Sequence, residues 1–137
     1  MIDLRAAQLD LDDDGLRRLQ NLKTGCIITC ACRSGAVAGQ ASPEQVEALG
    51  AYGISMGLAF QMADDVLDLE GSAAETGKAT GKDQAAGKTT FVSRLGLEGA
   101  KNYARALADE AVGHLAPFGA EAALLKEAAL FAAARRN

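Results

Sequence analysis

Along most of this chain apolar residues return every three or four positions, the period of a helix that buries one face. The clearest run is Val46, Leu49, Gly53, Met56, Phe60, Ala63 and Leu67, where steps of three and four alternate. Just before it stands Ser42-Pro43-Glu44-Gln45. Ser is a good N-cap, Pro suits the first helical position, and Gln three residues after the cap completes a capping box. The helix that opens there is expected to run to Glu70 and stop at Gly71. Gly50, Gly53 and Gly57 lower its helix propensity, so a neighbouring helix or a ligand is expected to approach closely there.

An earlier helix fits Leu16 to about Gly39, through Leu16, Leu19, Cys26, Ile27 and Cys30, with an acidic, irregular stretch before Gly15. Residues 71–89 break the period, being polar and Gly-rich, and are expected to form a long loop with at most a short helical turn. Further helices are expected at Thr90–Leu95, at Leu97–Leu115 ahead of Pro117, and from about Ala120 to Arg136.

Composition turns this pattern into a fold class. A chain of 137 residues makes one domain. Aromatic residues are 4 %, there is no Trp, and Ala is abundant, which favours helix over sheet. An all-α fold is expected. The net charge of −4 argues against a nucleic-acid binder. No apolar run approaches the ~18 residues that a membrane span needs. Three cysteines give an odd count without zinc-ligand spacing, and Met1-Ile2-Asp3-Leu4-Arg5 resembles no targeting segment, so a cytoplasmic location is expected. Cys26, Cys30 and Cys32 are read as small core residues, and the lone His114 as a helix-exterior residue.

The candidate chemistry lies in Phe60-Gln61-Met62-Ala63-Asp64-Asp65-Val66-Leu67-Asp68. Gly57, Gln61, Asp64 and Asp68 share one helix stripe. Carboxylates there are either a solvated face or a cation site, and oxygen ligands at this spacing suit Mg²⁺ shared with phosphate. Charge order adds to this. No Lys or Arg occurs between Arg33 and Lys78, whereas Glu44, Glu47, Asp64, Asp65, Asp68, Glu70 and Glu75 do. Lys78, Lys82 and Lys88 then follow, each after a Gly. An acidic wall followed by a Gly-Lys loop suits a metal–diphosphate site, with carboxylates for the metal and ammonium groups for the phosphate oxygens. Two decoys fail. The segment from Gly81 to Thr89 has five residues between its glycines where a P-loop has four. The segment from Asp10 to Gly15 would place Asn21 where a calcium loop needs Glu.

Taken together, Lys23-Thr24-Gly25, the segment from Gly57 to Asp68, Thr76-Gly77-Lys78, Gly81-Lys82-Asp83 and Gly87-Lys88-Thr89 resemble the trans-isoprenyl diphosphate synthases, or polyprenyl synthetases, and bacterial farnesyl diphosphate synthases most of all. The resemblance implies part of an isoprenoid-synthase-type helical bundle. It implies condensation of isopentenyl diphosphate with an allylic diphosphate, assisted by Mg²⁺. The allylic C–O bond breaks, the diphosphate leaves with the electron pair, isopentenyl diphosphate attacks the cation, and a proton passes to the diphosphate. Asp64 and Asp68 match metal ligands of the second Asp-rich motif, with Asp65 a weaker match. Lys23 and Lys78 match lysines that hold the allylic diphosphate, and Lys88 a lysine near the second motif. Thr24, Gln61 and the Lys23 carbonyl match groups that face the developing carbocation. A homodimer, or pairing with a synthase subunit, is implied as well.

Against the family pattern, the first Asp-rich motif and its arginines are missing. Asp12-Asp13-Asp14 cannot replace it, because Arg17 stands where the motif needs Asp. The chain is therefore expected to be the C-terminal portion of a synthase domain and inactive alone. The alternative is a catalytically incomplete fragment that acts as a helical interaction or dimerisation protein.

Overall fold

A computed structural model describes residues 12–76 and 91–135 of the chain. Among the described residues every regular element is helical, as expected of an all-α protein. Helix α1 spans Asp13–Gln20. A single π-turn, Asn21–Gly25, joins it without a break to α2, Cys26–Ala38. Helix α3 spans Pro43–Thr76, and α4 spans Phe91–His114. A 3₁₀ segment, Ala116–Ala122, leads into α5, Ala123–Ala134.

Local chemistry sets most of these ends. Asp12 caps α1, its side chain accepting from the Gly15 amide at 2.8 Å, and Asp13 and Asp14 sit in the first turn, where the helix dipole favours anions. The capping box ahead of α3 forms as expected. The Ser42 amide donates to Gln45 Oε1 at 3.0 Å and the Gln45 amide donates to Ser42 Oγ at 3.2 Å. Gly96, at φ 69°, divides α4 where the sequence breaks between Leu95 and Leu97.

Three boundaries differ from expectation. The first helix begins at Asp13 rather than Leu16, because Asp12 supplies the cap. Gly71 does not stop α3, which continues to Thr76. The residues after Gly71 remain helical, so no left-handed cap ends the helix there. The last helix begins at Ala123 rather than Ala120, because Gly119 adopts φ 57° and holds the preceding residues in a tighter turn. The rest of the expected loop, from residue 77 through Thr89, lies outside the described residues.

Helix α3, 34 residues long and so about 51 Å, is the centre of the molecule. The expected stripe is only partly buried. The deepest face runs through Tyr52, Leu58, Ala59, Met62 and Val66. Its partners change along its length. Toward its C-terminal part Met62 and Val66 join Leu16, Phe91, Val92, Ala100 and Ala104, while Leu58 and Ala59 join Leu107 and Ala108. Nearer its N-terminus, Leu49 and Met56 of the expected stripe pack beside Tyr52, Leu115 and Ala129. The Tyr52 hydroxyl donates to the Leu125 carbonyl at 2.9 Å, which ties α5 to this core.

Gly50, Gly53 and Gly57 of α3 meet α2 and the π-turn before it. A Cβ on Gly57 would lie 2.7 Å from Gly25 Cα, one on Gly53 2.7 Å from Thr29 Cα, and one on Gly50 2.3 Å from Arg33 Nε. The partners descend as the glycines ascend, so α2 and α3 run antiparallel in near backbone contact. Cys26 and Cys30 depart from expectation. Both are exposed, and only Cys32 reaches the core. They face a shallow cavity with Asn21, Thr29, Arg33 and Ile54 that no described element covers.

Candidate diphosphate site

The antiparallel crossing decides which side chains meet near the C-terminal half of α3. Lys23, Thr24 and Gly25 all fall in the π-turn, a local widening that often re-aims side chains at functional positions. Gly25 permits it, since a Cβ there would sit 2.3 Å from Asn21 Oδ1. That oxygen is buried and has no hydrogen-bond partner among the described residues. The Thr24 hydroxyl donates to Gln61 Oε1 at 2.6 Å. Gln61 is one of two buried polar residues in the described core, and this bond is its compensation. Thr24 and Gln61, singled out in sequence, therefore meet in space.

Asp65 lies one step round the same helix. Gln20 Nε2 donates to Asp65 Oδ2 at 3.1 Å. Burial pushes the Asp65 carboxyl up to about 6, and the nearby Asp64 and Asp68 charges add to the rise, against the opposing pull of the Lys23 charge and the Gln20 bond. A folded-state value above the unfolded one means that the folded chain holds the proton more tightly. Stability is therefore expected to fall as pH rises from the ordinary carboxylate range, near ~4, to about 6. Asp65→Asn should flatten that slope in urea unfolding measured across pH. An unchanged slope would mean that Asp65 is solvated like a surface carboxylate.

Asp64 and Asp68 sit on a different line of α3. Asp68 is exposed. Asp64 is 46 % exposed and takes the Arg135 guanidinium at 2.9 Å. The same guanidinium lies 4.1 Å over the Phe60 ring and donates to the Phe60 carbonyl at 3.4 Å. Among the described residues no three acidic, His or Cys side chains converge on one point. That does not suit a closed all-protein cage. It does fit Mg²⁺, which commonly takes one or two carboxylates and fills its shell with water and phosphate oxygens. Asp64 is half-buried and already paired with a guanidinium, whereas Asp68 is open to solvent.

Lys78 and Lys88 lie outside the described residues. The reading of the sequence passed over Gln20 and Arg135. Nothing local in the sequence marks either, because each acts across a long loop closure, from Gln20 to Asp65 and from Arg135 to Asp64.

Residues 1–128 match the polyprenyl synthetase family model. The large subunit 2 of the heterodimeric geranylgeranyl pyrophosphate synthase of Arabidopsis thaliana is 37 % identical over 88 % of this chain and 33 % of its own length. Farnesyl diphosphate synthase of Escherichia coli is 43 % identical over 80 % of this chain and 37 % of its own. The chain thus spans about a third of the length of these relatives. A polyprenyl synthase of Caulobacter crescentus, solved with calcium and isoprenyl diphosphate, superposes with a TM-score of 0.80 at 29 % identity, covering 99 % of this chain and 54 % of that one. A helical bundle with the Lys-Thr turn packed on the Gln and Asp-rich helix, matched along almost its whole length, belongs to the polyprenyl synthetase family.

Proposed function

We propose that this chain forms the second-motif wall of a trans-prenyltransferase site, which condenses isopentenyl diphosphate with an allylic diphosphate. The observation that carries the reading is the Thr24–Gln61 bond, which joins two separate family motifs beside the Asp-rich turn of α3. In this reading Asp64 and Asp68 hold Mg²⁺. Asp65, whose carboxylate is engaged by Gln20, is the weaker ligand. Bound Mg²⁺ would neutralise the departing diphosphate. Lys23, Lys78 and Lys88 would grip its oxygens, while Thr24 and Gln61 face the cation that develops as the C–O bond breaks. The calcium in the Caulobacter enzyme supports a divalent cation in this fold. The free thiols of Cys26, Cys30 and Cys32 suit a reducing compartment such as the cytoplasm.

Calorimetric titration of the intact chain with a non-ionisable allylic diphosphate analogue tests this. Binding is expected with Mg²⁺, is expected to vanish with EDTA, and is expected to be lost in the Asp64→Ala, Lys78→Ala double variant. No binding by the intact chain in Mg²⁺ would sink the proposal that this segment holds a diphosphate site of its own.

A second reading, a helical interaction or dimerisation protein, is favoured by exposed apolar side chains. Ile27 is 70 % exposed, Leu124 76 % and Phe131 73 %, and Leu124 and Phe131, seven residues apart, share one face of α5. The partner would be a second copy or a synthase subunit, as the name of the Arabidopsis relative describes for that protein. Native mass measurement of the chain, alone and with a full-length synthase, separates the readings. A strict monomer in both conditions counts against this one.

A further inference from the structure

Arg135, just after α5, packs against the acidic turn of α3. Arg135 is the residue at which α5 gives way to extended backbone, at φ −59° and ψ 141°. Its guanidinium spans the Phe60 ring, the Phe60 carbonyl and Asp64 Oδ1. It is 22 % exposed, whereas the Asp64 carboxylate is 46 % exposed. A positive group therefore covers one side of the carboxylate while the other side stays open to solvent. Among the described residues the docking is incomplete, since none of them bonds the buried Arg135 Nε. A group that leaves one donor unsatisfied is held less firmly than its ion pair alone suggests.

A divalent cation on Asp64 would meet this guanidinium at close range. Two like charges on one carboxylate repel, and more strongly where solvent is partly excluded. We propose that Arg135 is the built-in counter-cation of Asp64 in the metal-free chain, and that divalent cation binding there competes with docking of the last turn of α5. The proposal rests on the reading of Asp64 and Asp68 as a Mg²⁺ site. Coupling between two such events is reciprocal. Arg135 weakens the metal, and the metal loosens the end of α5. The opposite arrangement, in which Arg135 orients Asp64 for the metal, predicts the opposite sign.

The test uses the intact chain and Mg²⁺ alone. Calorimetry compares wild type with Arg135→Gln and Arg135→Lys, and amide hydrogen exchange follows residues 131–135 with and without Mg²⁺. Arg135→Gln is expected to bind Mg²⁺ about fivefold tighter, at the weak end of ordinary site coupling because Asp64 is half open. Arg135→Lys should fall between the two. In the wild type, Mg²⁺ should speed exchange in the last turn of α5. Equal or weaker binding by Arg135→Gln, or exchange that Mg²⁺ leaves unchanged, overturns the competition while the metal site stands. Absence of Mg²⁺ binding in every variant overturns the metal reading and the competition with it.

Discussion

Leu16→Ala is expected to lower the stability of the chain by about 3 kcal/mol, the middle of the range for a large buried aliphatic cut to alanine. Leu16 is 2 % exposed and packs with Met62, Val66, Phe91, Val92, Ala100 and Ala104, so it bolts α1 to both α3 and α4. The cavity left behind lies between three helices, and none can close it without breaking contacts elsewhere. The loss should extend beyond stability. Arg17, the next residue, donates to the Tyr103 hydroxyl and stacks its guanidinium 5.4 Å over that ring. One turn on, Gln20 holds Asp65. Loosening α1 should therefore raise amide exchange through residues 13–25, carrying Lys23 and Thr24 with it. Urea unfolding measures the first effect and hydrogen exchange the second. Leu22→Ala is the control, since Leu22 is 49 % exposed and should change stability by less than about 0.5 kcal/mol. A loss below about 1 kcal/mol in Leu16→Ala would show that α1 is not anchored there.

The second large effect is expected at a residue without a side chain. Gly57→Ala should destabilise by about 2 kcal/mol, because the new methyl would lie 2.7 Å from Gly25 Cα, and backbone cannot step aside as a side-chain tip can. That overcomes the ~1 kcal/mol that Ala gains over Gly in a helix interior. Gly35→Ala separates the two contributions. Gly35 lies in α2 with nothing within 4 Å of its missing Cβ, so the same substitution there should stabilise by up to about 1 kcal/mol. In Gly57→Ala the helices must part where Thr24 meets Gln61, so binding of a diphosphate ligand should weaken along with stability. Equal, stabilising shifts in the two variants would mean that α2 and α3 are not in backbone contact.

Much of the fold is legible in the sequence because its signals are local. Ser42 and Gln45 bond each other as their spacing predicts, and Gly96 and Pro117 fall at real changes of direction. Gly50, Gly53 and Gly57 were legible as a place of close approach, and the neighbour is α2. The failures share a physical cause. Gly71 stays helical because Gly permits a stop without requiring one, and the helix runs on to Thr76. Cys26 and Cys30 read as core by residue type, but burial depends on what packs over them, and no described element does. The Lys-Thr, Gln and Asp residues of the candidate site were legible as motifs. Which carboxylate meets Gln20 and which meets Arg135 was not, since that depends on the angle at which α1 and α5 cross α3.

The π-turn at Asn21–Gly25 has a mechanical consequence of its own. One residue added to a helical turn advances everything after it by about 100° while the rod stays continuous. Before the turn, Leu16 and Arg17 face the α3–α4 layer. After it, Thr29 and Arg33 face the glycine groove of α3. The turn is a phase shifter. A continuous rod thereby serves partners in two directions, and Lys23 and Thr24 sit at the joint between them, where the Thr24 hydroxyl reaches Gln61 of α3.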